Sequence, residues 1–342
     1  MKVREGPWRI TFDTNPDTCN LRCIMCEEHS IYCEHKHEKR IMDPDLVGRV
    51  ITSASRYGLK EIIPSTMGEP LLYPHFDKLL EAVKQLELKI NITTNGTFPK
   101  LGAHKWGERL LPLVSDMKIS INGASKTTNE YIMRGIAQER LLNNIQTILD
   151  IRDQIRRDGK QSPHVTFQVT YMKSNLAELE DLLRMAIRMD VDRFKGHHLW
   201  MTWPELKDES LTIKKADRTS WNRVAGRLQK IAERTMRPSQ QKIRLDNVYT
   251  INEDDSTAIL PLSWTCPFLG KEAWIAWDGR FNVCCAPDAL RRKFGNLGNV
   301  RETDLMVLWN SPGYKRAVRS WKTRNVCQKC NMRKPQNDQR RS

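Results

Sequence analysis

The sequence predicts an α/β protein built on a mainly parallel sheet and followed by a smaller, cysteine-rich region. Over the first 200 residues, short apolar runs alternate with amphipathic helical patterns in about six β-α units. Such alternation is typical of a parallel sheet with helices packed outside it. From about residue 260 onward the chain is instead rich in tryptophan, cysteine and turn residues.

The predicted strands are short runs that end in polar or glycine-containing segments. In chain order they are Arg9–Thr14, Glu61–Pro64, Lys89–Thr94, Met117–Ile121, Val165–Tyr171 and Val191–Phe194. In barrel-like α/β folds the chemistry lies at the carboxyl ends of the strands. We therefore expect the segments that follow these strands to gather on one rim.

The predicted helices have an apolar face at helical spacing. The first begins after Asp43, which can cap it, with Pro44 at its first position, and it ends at Gly58. The other predicted helices are Pro74–Leu86, Leu141–Arg156, Leu176–Met189 and Ala216–Arg234. The segment Trp203–Lys214 is predicted to be a polar linker.

Composition narrows the class of protein. Hydrophobic residues make up 39% of the 342 residues, and no apolar run has the length of a membrane span or a signal peptide. We therefore expect a cytoplasmic protein without membrane partners, and the odd count of nine cysteines argues against a disulfide framework. The net charge of +15 favours anionic partners. The basic residues are dispersed and no nucleic-acid module is evident, so nucleic acid is not the favoured partner.

Three cysteines near the N-terminus, Cys19, Cys23 and Cys26, have the spacing C-x3-C-x2-C. Three thiolates can hold three corners of a [4Fe–4S] cluster and leave the fourth iron open for chemistry. A zinc site is the alternative, and it needs a fourth ligand that one of three nearby histidines could supply. These histidines are His29, His35 and His37.

The cysteine spacing resembles the signature of the radical S-adenosylmethionine (SAM) superfamily. The resemblance implies that SAM chelates the open iron through its amino and carboxylate groups. It also implies reductive cleavage of SAM to a 5′-deoxyadenosyl radical and a low-potential electron donor such as flavodoxin or ferredoxin. The fold implied is a partial (β/α)6 barrel followed by a small β-hairpin and helix domain that holds an auxiliary cluster.

The segment Thr66-Met67-Gly68-Glu69-Pro70 follows the second predicted strand. It resembles the Gly-Gly-Glu-Pro motif of the family, with Met67 in place of the first glycine. The resemblance implies that Gly68, Glu69 and Pro70 help to bind the α-amino group of SAM. A cationic amine needs acceptors, which backbone carbonyls and a carboxylate supply.

Further SAM contacts are implied by the resemblance at other strand ends. Ser120 and Asn122 match a polar patch that contacts the ribose, although part of the family has aspartate at the second position. Arg134 could face the SAM carboxylate or the substrate, and Met25 takes the place of an aromatic residue beside the adenine. Asn95 is a candidate rim residue, together with Thr93 and Thr94.

A second group of cysteines lies near the C-terminus and flanks a predicted β-hairpin with an Asp278-Gly279 turn. Its members are Cys266, Cys284, Cys327 and Cys330. Four thiolates can hold either zinc or a fully ligated [4Fe–4S] cluster. The order C-x12-G-x4-C followed by C-x2-C resembles the twitch domain, a shortened SPASM domain. This resemblance implies one auxiliary [4Fe–4S] cluster.

Three residues are candidates for catalysis. In an extended segment, Cys285 and Cys284 would point to opposite faces, so Cys285 is predicted to be a structural thiol or a hydrogen-atom donor. His197 and His198 end the sixth strand and are predicted to face the cavity, where one could orient or deprotonate the substrate. Lys195 could hold a substrate anion.

The expected domains are a radical SAM core at 1–200, a linker and connecting helix at 201–259, an auxiliary domain at 260–333 and a solvated basic tail at 334–342. The basic pairs Arg333-Lys334 and Arg340-Arg341 are expected to belong to this solvated end of the chain. About ten residues precede the first strand, from which we expect no leader-peptide-binding domain. The expected function is hydrogen abstraction from, and oxidation of, a small molecule of the sugar, nucleoside or natural-product kind, with the auxiliary cluster as electron acceptor. The alternatives are radical modification of a peptide, redox-neutral epimerisation or decarboxylation, and, in another class, a zinc-stabilised basic nucleic-acid-binding protein.

Overall fold

The computed structural model describes residues 3–34, 39–254 and 258–335. Within these residues, nine strands form one sheet of order β7-β6-β5-β4-β3-β2-β1-β8-β9. The strands are β1 Arg9–Phe12, β2 Glu61–Ile63, β3 Lys89–Thr94, β4 Val114–Ser120, β5 His164–Tyr171, β6 Arg193–His198, β7 Arg244–Asp246, β8 Glu272–Ile275 and β9 Phe281–Asn282. All neighbouring strands in this order, from β7 at one edge through β1 to β8, are parallel. This arrangement confirms the predicted α/β class and partial barrel.

The helices are α1 Pro44–Ser55, α2 Phe76–Gln85, α3 Gly102–Leu110, α4 Lys126–Ile132, α5 Gln138–Arg157, α6 Leu179–Arg188, α7 Lys215–Arg234, α8 Asp288–Arg291, α9 Leu305–Asn310, α10 Pro312–Arg319 and α11 Asn325–Gln328. Helix α1 begins as predicted, because the Asp43 carboxylate accepts a hydrogen bond from the backbone N–H of Asp45. Helix α3 was not predicted. It packs on α5 through Gly107, where a Cβ atom would lie 2.6 Å from the side chain of Ile151.

The two faces of the sheet differ in chemistry. The face toward the helices is apolar, and Ile119, Phe167 and Phe194 are fully buried there. The inner face is polar, and at its base Arg9 binds Glu61 of β2 at 2.7 Å and Glu272 of β8 at 2.5 Å. The inner face therefore forms a polar interior, which we call the lumen.

The C-terminal hairpin is part of the same sheet. Strands β8 and β9 are antiparallel and are joined through Gly279, whose φ of 85° is in the left-handed region. Strand β8 also pairs in parallel with β1, with Arg9 opposite Glu272. The auxiliary segment is thus hydrogen-bonded to the core. At the other edge, β7 arises within the segment that was predicted to contain only a linker and a helix.

The prediction of a solvated basic tail is wrong for Arg333 and Lys334. Arg333 is buried and donates hydrogen bonds to the carbonyl groups of Leu260 and Pro261. Lys334 pairs with Thr265 through the backbone, and its ammonium group lies 2.5 Å from the Asp246 carboxylate. A buried acceptor for each cation explains this order. Arg340 and Arg341 lie outside the described residues. No helix in the described part of the chain has the length and apolar character needed to cross a membrane.

Candidate active site

The cysteine loop follows β1 and is held at several backbone positions. The N–H groups of Arg22 and Ile24 donate to the carbonyls of Arg134 and Ile132, each at 2.9 Å. The Trp203 indole N–H donates to the carbonyl of Cys26 at 2.8 Å. These contacts come from two distant segments, so the loop conformation is determined by the folded core.

The three cysteines of this loop lie close to one another. Burial is the main reason why the pKa of the Cys19 thiol rises to about 12, and a further cause is the nearby Cys26. Burial also raises the pKa of Cys23 and Cys26, and Cys23 is affected by both of its neighbours. Three half-buried thiols in this arrangement fit the binding of one cluster, which would displace their protons.

Hydrogen-bond donors are directed at the sulfur atoms. The Leu21 N–H lies 3.4 Å from Cys19 Sγ, and the His29 N–H lies 3.3 Å from Cys26 Sγ. The Asn95 amide Nδ2 lies 3.7 Å from Cys19 Sγ. Hydrogen bonds to sulfur stabilise thiolate charge and are a means of tuning iron–sulfur clusters. Asn95 is thereby placed beside the cysteines, as predicted for a rim residue.

Of the three histidines considered for a zinc site, the structure describes His29. The ring of His29 lies with Nε2 2.7 Å from the carbonyl oxygen of Pro16. His35 and His37 lie outside the described residues.

Gly68 allows the turn after β2 to approach the cysteine loop. Its φ is 73°, and a Cβ atom there would lie 2.2 Å from the Asn15 carbonyl oxygen and 2.8 Å from that of Thr18. The Glu69 N–H donates to the same Thr18 oxygen at 2.8 Å, and Asn15 Nδ2 donates to the Glu69 carbonyl at 2.8 Å. The glycine is needed for contact between two backbone segments.

The Glu69 carboxylate joins the end of β2 to the end of β3. It accepts hydrogen bonds from Thr94 Oγ1 at 2.8 Å, from the Asn95 N–H at 2.8 Å and from the Leu71 N–H at 3.3 Å. Burial raises the pKa of Glu69 to about 7, although these hydrogen bonds oppose the shift. Pro70 begins the short 3-10 turn that follows. Contact of Gly68, Glu69 and Pro70 with SAM stays a prediction, and the structure adds a positioning role for Glu69.

The other predicted SAM residues lie at the rim or next to it. Asn122 is buried, and its Oδ1 accepts a hydrogen bond from the Thr170 N–H at 2.8 Å, so it links β4 to β5. Ser120 is half-buried at the end of β4, and Met25 is half-buried in the cysteine loop. Arg134 is exposed, with its guanidinium 4.8 Å from the ring centroid of Tyr131. Their contacts with SAM stay predictions.

The two histidines of β6 face opposite sides of the sheet. Strand β6 continues to His198, so adjacent side chains alternate between faces. His197 is on the lumen side, with Nδ1 3.4 Å from Nε2 of Gln168. His198 packs in the core, with ring centroids 5.6 Å from Tyr171 and 4.6 Å from Trp221. The prediction that both face the cavity is therefore wrong for His198.

The second cysteine group surrounds a cavity. It is lined by five cysteines, Cys266, Cys284, Cys285, Cys327 and Cys330. Most other walls are apolar and include Phe268 and Trp321, although Arg333 also lines the cavity. The Met332 N–H lies 3.4 Å from Cys330 Sγ. Within the described residues, no three histidine, cysteine, aspartate or glutamate side chains are arranged to hold a single metal ion. The thiols, the N–H group and the apolar walls fit an iron–sulfur cluster.

Cys285 was predicted to point away from this group, and that prediction is wrong. Residues 283–286 form a bend after β9, so the alternation of an extended strand does not apply. Both Cys284 and Cys285 line the cavity as a result. Sequence position leaves open which of the two is the fourth ligand, and the assignment of Cys284 stays a prediction.

Residues that the sequence did not single out join the second cysteine group to the first. Arg291 of α8 is buried and binds the Asp13 carboxylate after β1 at 3.2 Å. The Asp288 N–H donates to Glu27 of the cysteine loop at 3.1 Å, and Thr66 donates to Asp13 at 2.7 Å. These pairs are more than 250 residues apart in two of the three cases, so no local pattern could have revealed them.

Comparison with known families agrees with this geometry. Residues 16–186, half of the chain, match the radical SAM superfamily. The chain belongs to the radical SAM superfamily. Residues 266–331 match the iron–sulfur cluster-binding SPASM domain. These matches confirm SAM, a [4Fe–4S] cluster and an auxiliary cluster as the cofactors, and they favour an enzyme over a zinc-stabilised nucleic-acid-binding protein.

This radical SAM enzyme is similar to several named proteins, whose names indicate different substrates. It is 26% identical over 86% of its length to the tungsten-containing aldehyde ferredoxin oxidoreductase cofactor-modifying protein of Pyrococcus furiosus, of which the match covers 79%. It is 30% identical over 52% of its length to a GTP 3′,8-cyclase of Synechocystis, of which half is covered. Its fold resembles Streptococcus suis SuiB bound to the precursor peptide SuiA, with a TM-score of 0.65, 18% identity, and coverage of 92% and 67% of the two chains.

Replacement of Cys19, Cys23 and Cys26 together by alanine is expected to leave about four irons in the protein, because the second cysteine group is predicted to hold its own cluster with four thiolates. Iron analysis after anaerobic reconstitution measures the content. Addition of SAM should leave the electron paramagnetic resonance spectrum of this variant unchanged. A SAM-dependent spectral change would show that the second group has an open iron.

Proposed function

We propose that this radical SAM enzyme abstracts a hydrogen atom from an unactivated carbon of a small molecule and completes a two-electron oxidation. When bound, SAM and the two clusters supply the abstracting radical and an electron acceptor. With the clusters held by the two cysteine groups, the hydrogen atom would leave in 5′-deoxyadenosine, the auxiliary cluster would supply an acceptor for the electron, and a proton would pass to solvent. The observation that carries this proposal is the position of the second cysteine group beside the lumen.

Contacts between the second cysteine group and the sheet support that position. Cys285 is close enough to Glu272 for this carboxylate to contribute to the raised pKa of the thiol, after burial and the neighbouring cysteines. Glu272 is on the lumen side of β8, where it binds Arg9. Arg291, on the helix that follows Cys285, binds Asp13 at the end of β1. An acceptor in this cavity would therefore be next to the space where substrate is proposed to bind.

The lumen offers polar side chains that could orient a substrate. His197, Gln168 and Ser120 are half-buried on its wall near the rim. Burial, and to a smaller extent the nearby Lys195, lower the pKa of His197 to about 4, so its ring is neutral at neutral pH. A neutral ring that accepts from Gln168 at Nδ1 carries its proton on Nε2. His197 would then donate a hydrogen bond to a substrate oxygen.

Two relatives support a small molecule of the nucleoside or cofactor kind. One is named for the modification of a cofactor and the other for the cyclisation of GTP. The peptide alternative is suggested by SuiB with its bound precursor peptide, but 18% identity supports a shared fold and does not extend to the substrate. The size of the substrate is therefore the property to test first.

Substrate size can be tested with a cell extract divided by ultrafiltration into small-molecule and peptide fractions. Each fraction is added to the reduced holoenzyme with SAM, and the formation of 5′-deoxyadenosine is measured. We expect the small-molecule fraction to stimulate formation and to yield a product two mass units lighter than its substrate. Stimulation by the peptide fraction alone would contradict the proposal.

The variant Cys285→Ala separates oxidation from epimerisation. If the enzyme oxidises its substrate, product formation should stay within a few-fold of wild type, because removal of a small thiol mainly costs packing. Iron content should stay near about eight, whereas Cys284→Ala, as the matched variant, should lose about four irons. Epimerisation would need a thiol to return a hydrogen atom. Loss of product in Cys285→Ala, together with product deuteration in heavy water, would contradict oxidation.

A further inference from the structure

Two lysines point from neighbouring parts of the sheet into the lumen. Lys118 is on β4, between the fully buried Met117 and Ile119 of the helix side, and Lys195 follows the fully buried Phe194 on β6. Because side chains alternate along a strand, both lysines are on the lumen side. One strand, β5, separates β4 from β6, which places the two backbones roughly 10 Å apart.

Lys118 lies among charged side chains at the base of the lumen. Its pKa is affected by Arg9 of β1 and Glu61 of β2, as well as by Asp116 and Arg193. The carboxylates among these neighbours already bind other cations. Asp116 forms an ion pair with Arg193, and Glu61 forms one with Arg9 at 2.7 Å.

Lys195 also lies near a carboxylate that binds other cations. Its nearest carboxylate is Asp246, whose oxygen lies 3.7 Å from Lys195 Nζ. The same carboxylate lies 2.5 Å from Lys334 Nζ and 3.7 Å from Arg193. One carboxylate is therefore shared by three cations. Lys118 is a further cation near Lys195, and its repulsion lowers the pKa of Lys195.

This part of the lumen has an excess of positive charge. With every group ionised, five cations face four carboxylates: Arg9, Lys118, Arg193, Lys195 and Lys334 against Glu61, Asp116, Asp246 and Glu272. The positively charged part of the lumen is accessible from the rim. The Lys195 side chain is 21% exposed, and Gln168 and His197, which lie nearer to the rim, are half-buried. Buried charge is costly unless it is paired, so this arrangement is suited to an anionic ligand.

We propose that Lys118 and Lys195 bind an anionic group of the substrate, either a phosphate or a carboxylate, inside the lumen. The proposal rests on the proposed function, in which the lumen holds the substrate. It adds that the substrate is anionic and that its charged end lies deeper than His197, since Lys195 precedes His197 along β6.

Protonation gives this site a measurable signature. Burial lowers the pKa of Lys118 to about 8 and that of Lys195 to about 7, although Asp116, Glu61 and Asp246 oppose the shifts. Near pH 7.5 both lysines are therefore partly neutral without ligand. A bound anion favours the charged ammonium and raises both pKa values, so binding should be accompanied by proton uptake.

Calorimetric titration of the SAM-bound holoenzyme with inorganic phosphate, and separately with acetate, tests the site. Titrations at pH 7.5 in two buffers of different ionisation enthalpy give the number of protons taken up. We expect one anion to bind with proton uptake, and Lys118→Met and Lys195→Met each to weaken binding by at least tenfold. Tighter binding of phosphate would indicate a phosphorylated substrate, and tighter binding of acetate a carboxylate.

Lys230→Met is the matched control, because Lys230 is exposed on α7. It should bind the anion as wild type does. Wild-type protein that binds neither anion, or binds one without proton uptake, would overturn the proposal, and so would unchanged affinity in both lumen variants. Lys230→Met should also keep the slow cleavage of SAM without substrate, and absence of this cleavage from the wild-type protein would contradict the radical chemistry and not the anion site. This measurement keeps a failure of the anion site distinct from a failure of the proposed radical chemistry.

Discussion

Replacement of Cys26 by alanine will abolish the conversion of SAM to 5′-deoxyadenosine and methionine. In the reduced, reconstituted enzyme this conversion should proceed slowly even without substrate. Cys26 is one of three half-buried thiols in the cysteine loop, and its Sγ accepts a hydrogen bond from the His29 N–H at 3.3 Å. Alanine provides no ligand, so a cluster that depends on three protein thiolates cannot be retained in its active form.

Cys33→Ala is the matched control for this prediction, because Cys33 is in the same region of the chain but outside the C-x3-C-x2-C spacing. It should keep both iron content and cleavage near the wild-type level. Liquid chromatography of the quenched reaction measures 5′-deoxyadenosine, and iron content should fall from about eight to about four in Cys26→Ala. Undiminished 5′-deoxyadenosine formation in Cys26→Ala would refute the predicted ligand set.

Replacement of Gly68 by alanine is expected to reduce SAM cleavage by about a hundredfold, because it displaces the cysteine loop. The added Cβ would meet the carbonyl oxygens of Asn15 and Thr18 at 2.2 and 2.8 Å. Both are backbone atoms of the loop that leads to Cys19, so relief of the clash must move the loop. Catalytic geometry is sensitive to displacements of about 1 Å, which alone can cost about a hundredfold.

Gly58→Ala separates this steric effect from backbone strain. Gly58 has a φ of 85°, close to the 73° of Gly68, but a Cβ there would have no atom within 4 Å. The left-handed conformation costs an alanine roughly 1–2 kcal/mol at either position. We expect Gly58→Ala to lower the melting temperature while iron content and cleavage stay near wild type. Equal effects of the two variants on SAM cleavage would show that the contact with the cysteine loop is not the cause.

Prediction of secondary structure succeeded where the pattern of apolar residues is local and periodic. Strand β3 has the predicted bounds Lys89–Thr94, and α7 differs by one residue at its start. Strand β6 was predicted to end at Phe194, because the residues after it are polar or glycine. They are in a strand because one face lines a polar lumen and because Gly196 makes room for the ring of Tyr171.

In the candidate site, too, the features with a local sequence pattern could be predicted and those set by tertiary contacts could not. The family, the cofactors and the grouping of cysteines could be predicted because a cluster-binding loop has a characteristic spacing over eight residues. The side of the sheet that His198 faces and the bend that turns Cys285 toward the other thiols could not. Both depend on whether the backbone is extended at one residue, and neighbours distant in the chain determine that.

The sequence by itself determined the superfamily, the parallel α/β sheet and the two groups of cysteines, since each rests on residues close together in the chain. Only the tertiary structure decided which charged residues share the lumen. Lys118, Lys195 and Lys334 come from three separate segments, and Asp246 is from a fourth. Charges interact through space, so their balance appears only when the curved sheet brings these segments together.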